Sequence, residues 1–367
     1  MTIDLLYSDI EEALRASVAD LLADRSGPTR VLATIESDQP CDLALWDTLG
    51  GQLGVAALLV PEKFGGVGGS AREAAVVAEE LGRAVAPVPF LGSAVLATTA
   101  LVACAAADPL AALASGDLTA ALAVPLAMMP GDPFPDTVRA TAGRLTGHVR
   151  TVADAAVAGL LVVPAIGPDG PALYSVSSDG VTVTPVTALD RTRGIADVTL
   201  AGAPGTLLAG PDLAPTALDE ALTTGAGVLA SEQLGVAQWC LDTTVRHVKE
   251  RYQFGRAVGS FQALKHRLAD VWLELVTARA AARYAADALA GASDVAVAVS
   301  VAQAYCSAVA VHAAEEAVQL HGGIGMTWEH PAHLFLKRAK SSEIALGTPG
   351  RHRARLAGLV DLPGPVA

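Results

Sequence analysis

Two stretches in the last third of the sequence combine residue types that can bind a phosphorylated ligand. The first, 251–262, carries arginine, two glutamines and two phenylalanines, and the second, 319–327, reads Gln-Leu-His-Gly-Gly-Ile-Gly-Met-Thr. Arg251 can make a two-pronged, charge-assisted contact with phosphate oxygens. Gly322 and Gly323 lack a Cβ, so their backbone can approach a phosphate closely. The two stretches therefore indicate a candidate anion site.

Three side-chain amides and an aromatic ring extend this set. Amides both donate and accept hydrogen bonds, as the edges of adenine and ribose do, and Phe254 offers an apolar surface to a ring system. The amides belong to Gln253, Gln262 and Gln319. These residue types together suit a nucleotide better than a bare anion.

Each residue taken singly also has an ordinary structural explanation. Arg251 alone reads as a surface charge, and Phe254 and Phe261 alone read as core residues. A Gly-Gly pair after a helix is a common helix-terminating turn. His266 and His321 are expected to be packing or solvated residues rather than catalytic ones. Only the combination at this spacing favours a binding site.

Composition limits the classes of partner. The 367 residues are 52% apolar and 17% charged, which excludes a disordered chain and suggests two or three domains with ample core. Lys and Arg total 25 against 38 Asp and Glu, giving a net charge of −13. Bulk charge of this sign argues against binding nucleic acid or an anionic membrane. A local basic cluster can still hold a phosphorylated ligand.

Sequence features predict a cytoplasmic chain without a metal site. The apolar stretch Leu91–Ala107 falls just short of the roughly 18 residues that suggest a membrane span, so a buried or oligomer-facing helix is expected. The acidic N-terminus lacks the basic start of a signal peptide. Four scattered cysteines without CxxC spacing indicate neither a zinc site nor a disulfide framework. They are Cys41, Cys104, Cys240 and Cys306.

The elements that must position the candidate residues fall into three zones. Residues 1–118 predict helices, with a capping box at Ser70 and a glycine-rich loop at 60–69. Residues 119–212 carry short β-branched runs at about ten-residue spacing, which predict a small antiparallel β-domain. Residues 213–367 return to helical periodicity, with helices expected at about Ser260–Leu289 and Val295–Leu320. The fold class is therefore α+β and multidomain.

These motifs resemble those of the acyl-CoA dehydrogenase family. The likeness rests on R-x-x-F-G…F-Q…K-H-x-L-A-D from Arg251, on Q-x-H-G-G-x-G from Gln319, and on the loop at 60–68 followed by Glu-Glu-Leu-Gly-Arg. The resemblance implies an N-terminal helical domain, a middle β-domain and a C-terminal four-helix bundle. It also implies an FAD enzyme that forms a 2,3 double bond in an acyl-CoA. A carboxylate removes a proton from C2 while hydride leaves C3 for the flavin.

The resemblance also assigns roles to particular residues. In such oligomers the C-terminal motifs of one subunit hold the adenosine diphosphate (ADP) end of FAD bound mainly to its neighbour. The implied cofactor-binding residues are Arg251, Gln253, Phe254, Gln262, Gln319, Gly322, Gly323 and Thr348. For Thr348 the residues themselves predict a helix N-cap followed by Pro at the first position, and that helix end can face a phosphate or ribose.

Two departures from the family pattern stand out. The usual catalytic base position holds Leu346, which cannot accept a proton, and an alternative position near residues 225–226 holds no carboxylate. Glu343 and Glu232 are weak candidates for a displaced base, because a general base must lie within hydrogen-bond reach of its proton. A salt bridge and a helix contact, respectively, are their ordinary roles. The segments 122–132 and 150–158 lack the polar groups expected to hold a flavin ring.

The motifs implied to hold the ADP end of FAD are present, whereas the base and the groups that hold the flavin ring are missing. This combination favours a base-lacking subunit of a heteromeric (α2β2) acyl-CoA dehydrogenase. Subunits of this kind are known in actinobacteria, where such enzymes shorten steroid side chains as CoA thioesters. The expected partners are an acyl-CoA substrate and a second acyl-CoA dehydrogenase subunit. Two alternatives stay open: a self-sufficient homo-oligomeric dehydrogenase or flavin oxygenase with a relocated base, and a non-catalytic scaffold subunit.

Overall fold

The structure is a computed structural model that describes residues 5–363. The chain divides into two compact units, each assembled from separate segments. The helical unit comprises Met1–Thr29, Ala75–Ala86 and Gly227–Ala367, and the sheet unit comprises Arg30–Ala74 and Pro87–Ala226. The expected three-way division at 118 and 212 stays a prediction, although the change from helices to strands and back falls close to those positions.

The structure has helices in both regions where they were predicted, before the central strands and after them. Their bounds are α1 Asp9–Arg25, α2 Pro28–Glu36, α3 Leu43–Leu53, α4 Ala71–Ala84, α5 Thr98–Ala103, α6 Ala107–Ser115, α7 Ala214–Glu250, α8 Gln262–Gly291, α9 Val295–His321, α10 Ala332–Ile344 and α11 Pro349–Leu359. Ser70 caps the start of α4: its N–H donates to the Glu73 carboxylate at 2.8 Å, as in a capping box, and its Oγ accepts from the Arg72 N–H at 3.1 Å. The two long helices expected from apolar periodicity are α8 and α9.

The central sheet is mixed rather than antiparallel, which corrects the expectation for this region. Its strands are β1 Ala120–Leu122, β2 Val138–Thr141, β3 Arg144–Ala153, β4 Leu160–Gly167, β5 Gly170–Ser177, β6 Thr182–Pro185, β7 Ile195–Pro204 and β8 Thr206–Ala209. The order is β6-β7-β3-β2-β4-β5-β8, with β1 also on β4. β1 and β2 both pair parallel to β4, and the remaining pairs are antiparallel. The spacing of β-branched runs and turns identifies the strands, but it does not specify which strands pair when a long connection separates them.

The apolar stretch expected to form a buried helix lies inside the sheet unit. Phe90–Ala97 forms a π-helix and α5 follows it, and every residue of the π-helix is buried. Another helical segment, Val295–Met326, is long and apolar enough to cross a membrane by length and composition. Of its most apolar window, 61% is buried inside the protein, which is typical of a core helix.

In the helical unit, α9 is the central element and packs against α8, α10 and α11. Close backbone contact joins α4 to α7 through two glycines. A Cβ at Gly82 would collide with the Glu232 carbonyl, and a Cβ at Gly235 would collide with the Glu79 carbonyl. The two helices can therefore approach only because both positions lack a side chain.

Candidate functional site

A short hairpin presents the first predicted motif directly after α7. The Arg251 N–H donates to the His247 carbonyl at 2.8 Å, and the Arg251 carbonyl accepts from the Val258 N–H at 2.8 Å. Between them β9 (Tyr252–Gln253) pairs antiparallel with β10 (Arg256–Ala257). Phe254 and Gly255 form the turn with φ of +53° and +75°. The turn places the Phe254 ring in solvent with 91% of its surface exposed.

Aromatic contacts fix the geometry of this hairpin. The Phe254 ring meets Phe261 edge-on at 6.2 Å between centroids, and the Arg256 guanidinium lies 3.9 Å from the Phe261 ring centre. Gln253 and Gln262 are exposed, and the Gln262 amide lies 3.3 Å from His266. Phe254 is therefore not a core residue, and its ring is accessible from solvent.

The second motif is the turn that ends α9. Gly322 has φ +64° and ψ −137°, a backbone conformation that favours glycine, and its N–H donates to the Gln319 carbonyl. A Cβ on Gly325 would collide with the Val318 carbonyl, whereas a Cβ on Gly323 would meet nothing within 4 Å. Geometry and packing thus explain Gly322 and Gly325. Gly323 leaves a stretch of backbone open to approach.

The charge of the hairpin region differs from that of the chain as a whole. Residues 246–267 contain six Lys and Arg against one Glu, a local net charge of +5 in a chain of −13. Arg267 is neutralised by a two-pronged pair with Glu316 at 2.6 and 2.7 Å. The exposed Arg251 side chain makes no hydrogen bond or ion pair within residues 5–363. A basic surface with a free guanidinium suits a phosphate.

Thr348 occupies the position predicted for a helix start. Its Oγ1 accepts from the Arg351 N–H at 3.4 Å, and Pro349 follows as the first residue of α11. The N-cap role is therefore confirmed. A contact of Thr348 with a cofactor stays a prediction.

The residue at the expected base position, Leu346, is completely buried and has φ +54°. Its carbonyl accepts from His352 Nε2 at 2.9 Å. Two neighbouring carbonyls are held as well: that of Ser342 accepts from Gln233 Nε2 at 3.0 Å, and that of Ala345 accepts from Gln303 Nε2 at 3.2 Å. Buried side chains thus fix this segment around an apolar residue that cannot take a proton.

Both alternative carboxylates have structural partners. Glu232 is 7% exposed, lies 3.3 Å from the Arg338 guanidinium and accepts from Ser342 Oγ at 3.5 Å. Loss of this buried carboxylate would leave the charge of Arg338 unpaired, so a structural role as a helix contact is sufficient to explain Glu232. Glu343 is half-buried near the end of α10, where its charge raises the pKa of Lys340 after the larger effect of Glu315.

The two segments expected to face a flavin ring have their backbone donors already engaged. The Leu126 N–H donates to Thr151 O at 3.0 Å, and the Met129 N–H donates to Asp132 Oδ2 at 3.0 Å. The Thr151 N–H in turn donates to Asp197 Oδ1 at 2.9 Å. The side chains between these donors are mainly buried and apolar: Ala123, Val124, Leu126, Met128 and Met129.

Asp154 is a buried polar side chain in the second segment. It is 6% exposed with φ +57°, and its Oδ2 accepts from the Gly92 N–H at 3.0 Å. A Cβ on Gly92 would lie 2.5 Å from that oxygen. The carboxylate thus serves the backbone of the buried π-helix.

Two family descriptions match this chain. "Acyl-CoA dehydrogenase, N-terminal domain" matches residues 8–109, and "Acyl-CoA dehydrogenase, C-terminal domain" matches residues 216–359. Together they cover more than half of the sequence. The chain belongs to the acyl-CoA dehydrogenase family.

Individual relatives agree with this assignment. Acyl-CoA dehydrogenase IpdE2 of Mycolicibacterium smegmatis is 38% identical over 349 residues, 95% of this chain and 98% of that protein. A variant of the Tcur3481–Tcur3483 steroid ACAD is 29% identical with a TM-score of 0.85, over 96% of this chain and 98% of that chain. The ChsE4–ChsE5 complex from Mycobacterium tuberculosis is 26% identical with a TM-score of 0.87, over 99% and 100%.

Acyl-CoA dehydrogenases are FAD-dependent oxidoreductases that act on a CH–CH bond of an acyl-CoA, and this chain shares that cofactor and reaction class. The residues of this chain fit one end of FAD and not the other. The exposed Arg251, Phe254 and Gly323 suit an ADP group. The segments 122–132 and 150–158 offer mainly apolar side chains and backbone donors that are already engaged, so they do not fit a flavin ring.

The structure also brings together residues that sequence reasoning did not connect. The rings of His247, His321 and His330 form a stack beneath the two C-terminal motifs. His321 was expected to be a structural residue, but its stacking on histidines from two other segments was not foreseen. The one sequence signal is position, since His247 stands four residues before Arg251 and His321 directly before Gly322.

Proposed function

We propose that this chain is the base-lacking subunit of a heteromeric acyl-CoA dehydrogenase. In this assembly the partner subunit supplies the carboxylate base and the flavin-ring pocket. This chain supplies the surface that holds the ADP end of the partner's FAD. The proposed substrate class is a steroid side-chain CoA thioester, because the Tcur3481–Tcur3483 relative is a steroid ACAD. The proposed location is the cytoplasm, where the four free thiols of this chain would stay reduced.

The observation that carries the proposal is the burial of Leu346. A general base must reach the C2 proton within hydrogen-bond distance. Leu346 has no titratable group, and Glu232 is buried in a pair with Arg338. The proposal therefore assigns proton removal to a carboxylate of another chain.

The basic surface around Arg251 supports the second part of the proposal, that this chain holds the ADP end of FAD. The guanidinium of Arg251 is exposed and unpaired within the described residues, and the +5 segment around it supplies a favourable field for a pyrophosphate. A subunit that had lost all contact with flavin would have no need of such a surface. This favours a contributing subunit over a scaffold.

An exposed apolar face on α8 is consistent with a partner subunit. Trp272 and Leu273 are 57% and 60% exposed, and Val276 lies one turn further along the helix. Large exposed side chains grouped on one helix face are typical of protein–protein contacts.

The test is a flavin count with and without a partner. The chain is purified alone and after co-expression with acyl-CoA dehydrogenases from the same genome that carry Glu at the base position. Absorbance near the flavin maxima and chain stoichiometry are measured on each sample. We expect no flavin on the isolated chain and one FAD for each pair of unlike subunits.

Each other outcome selects an alternative. Flavin at one per chain on the isolated protein would establish a self-sufficient dehydrogenase or oxygenase with a relocated base. A stable complex without flavin would establish a scaffold. In the expected case, the complex bleaches its flavin with saturated acyl-CoA substrates, and the partner's Glu→Gln variant abolishes the bleaching while leaving the FAD count unchanged.

A further inference from the structure

Three imidazole rings from separate parts of the chain are stacked in the helical unit. His247 comes from the last turn of α7, His321 from the last residue of α9, and His330 from the segment before α10. The ring centroids of His247 and His321 are 4.3 Å apart, and those of His321 and His330 are 4.0 Å apart. We call these three residues the imidazole stack.

The stack joins the two motifs that would hold the ADP group. His247 stands one helical turn before the hairpin, and its main-chain carbonyl accepts from the Arg251 N–H at 2.8 Å. His321 immediately precedes Gly322, and a Cβ on Gly325 would lie 3.0 Å from the His321 Cβ. The glycine turn thus packs against the Cβ of the residue that carries the central ring. Displacing the rings would move the hairpin and the turn relative to each other.

Hydrogen bonds define the neutral form of the stack. His321 Nδ1 donates to the Ala317 carbonyl at 2.6 Å, which leaves Nε2 as an unprotonated acceptor. That Nε2 is buried without a hydrogen-bond partner within residues 5–363. His330 Nδ1 accepts from the Ala332 N–H at 3.3 Å, so it too carries a lone pair. Beyond His330, Trp239 lies at 6.3 Å and stacks on Phe335.

The surroundings disfavour a charged stack. Burial is the first cause that lowers the pKa of each of the three histidines. Repulsion from neighbouring histidines adds to it for His321 and His330, and the pKa of His330 falls to about 4. Arg251, directly after α7, opposes protonation of His247, and Glu250, the last residue of α7, favours it. On α10, His333 opposes protonation of His330, and Lys337 lies 3.5 Å from His333. Glu250 is the acidic group among these neighbours.

We propose that the neutral imidazole stack is the positioning element of the ADP-binding surface. It sets Arg251 against the Gly322–Gly323 backbone, and protonation of a stacked ring separates them and releases FAD from the complex. The proposal rests on the proposed function, because the FAD concerned is the one shared with the partner. His247, His321 and His330 are positioning residues in it and do not touch the cofactor.

The expected size of the effect follows from proton linkage. If one ring takes up a proton when FAD leaves, the Kd for FAD rises tenfold for each pH unit below the pKa of that ring in the FAD-free complex. For one histidine released to an ordinary pKa near 6.5, the Kd for FAD should rise roughly thirtyfold between pH 8 and pH 5. A charged imidazole that simply attracted the pyrophosphate would change the Kd in the opposite direction. The sign of the pH effect therefore tests the proposal.

The experiment measures FAD affinity of the reconstituted heteromeric complex from pH 5 to pH 8 by flavin fluorescence. His330→Phe and His247→Phe each keep an aromatic ring in the stack and remove its titration. We expect the rise at pH 5, measured against each variant's own Kd at pH 8, to shrink from roughly thirtyfold to less than fivefold in His330→Phe, and His247→Phe reports whether the neighbouring ring contributes. His148→Phe, an exposed position on β3, is the matched control and should keep the wild-type profile.

The outcomes separate this proposal from the proposed function. If the complex binds FAD and Arg251→Ala weakens it, but the stack variants keep the wild-type pH profile, the positioning role is refuted and the proposed function stands. If the complex holds no FAD at any pH, the proposed function is refuted, and the positioning role is refuted with it. A further measurement needs no variant: hydrogen exchange of the 322–326 amides in the wild-type complex, corrected for intrinsic rates. Faster exchange at pH 5 than at pH 8 supports release of the turn, and equal protection overturns it.

Discussion

Leu346→Glu restores a carboxylate at the family's usual base position and tests whether that position alone prevents catalysis. The Leu346 side chain has no exposed surface, and the carbonyls of Ser342, Ala345 and Leu346 accept hydrogen bonds from buried side chains. The new carboxyl group would therefore enter a dry, fixed environment. We expect a loss of stability and no dehydrogenase activity from the isolated variant.

The magnitude follows from two contributions. Loss of buried apolar surface costs about 1.5–3 kcal/mol. Keeping the new carboxyl neutral at pH 7 costs about 1.4 kcal/mol for each unit above its ordinary pKa near 4.3, or about 3.7 kcal/mol. The free energy of unfolding should therefore fall by about 5–7 kcal/mol at pH 7.

The neutral variant Leu346→Gln separates these contributions. Burial raises the folded-state pKa of a carboxyl group, so the ionisation penalty is small near pH 4.3 and grows as the pH rises toward the folded value. The Gln variant should exceed the Glu variant in stability by about 3.7 kcal/mol at pH 7 and by about 1 kcal/mol at pH 5.

Urea unfolding of both variants at the two pH values measures this difference. Equal stability at pH 7 would mean that water reaches the site and that the burial argument is wrong. Each variant is also incubated alone with FAD and a panel of acyl-CoAs while flavin bleaching is followed. Turnover by isolated Leu346→Glu would show that only the base is missing, and the partner-subunit proposal would be abandoned.

Three further predictions concern binding, packing and pH. Arg251→Ala should raise the Kd of the complex for FAD about ten- to a hundredfold, whereas Arg246→Ala should change it little; equal effects would make Arg251 an ordinary surface charge. Gly235→Ala should lower the free energy of unfolding by about 3 kcal/mol, and Gly51→Ala, with open space on α3, should raise it by about 0.5–1 kcal/mol. Stability should fall as the pH drops from 6.5 toward 4, because the unfolded chain takes up protons before His330 does in the folded state. Urea unfolding at pH 7.5 and 4.5 measures that loss, which His330→Phe should reduce and a flat profile would contradict.

Local sequence patterns were sufficient to predict the positions of several helices and the family of this protein. Apolar spacing located α8 and α9 to within two residues, and the Thr348-Pro349 pair located the start of α11. These features depend on neighbours within one or two turns, so residue order is sufficient to specify them. The acyl-CoA dehydrogenase family likewise followed from short motifs around Arg251 and Gln319 whose spacing is fixed along the chain.

Contacts between distant segments were decided only by the tertiary structure. The parallel pairing of β1 and β2 with β4 depends on how long connections return the chain to the sheet, which strand composition does not record. The exposed Phe254 was equally compatible with a core until the αL turn placed its ring outward.

The same reason applies to the chemistry of the candidate site. Glu232 and Arg338 stand 106 residues apart, and no spacing or motif indicated that they would form a buried pair. The three histidines of the stack likewise come from three separate elements. Side chains that meet through packing have no fixed spacing along the chain, so the folded geometry alone reveals that His247, His321 and His330 share one environment.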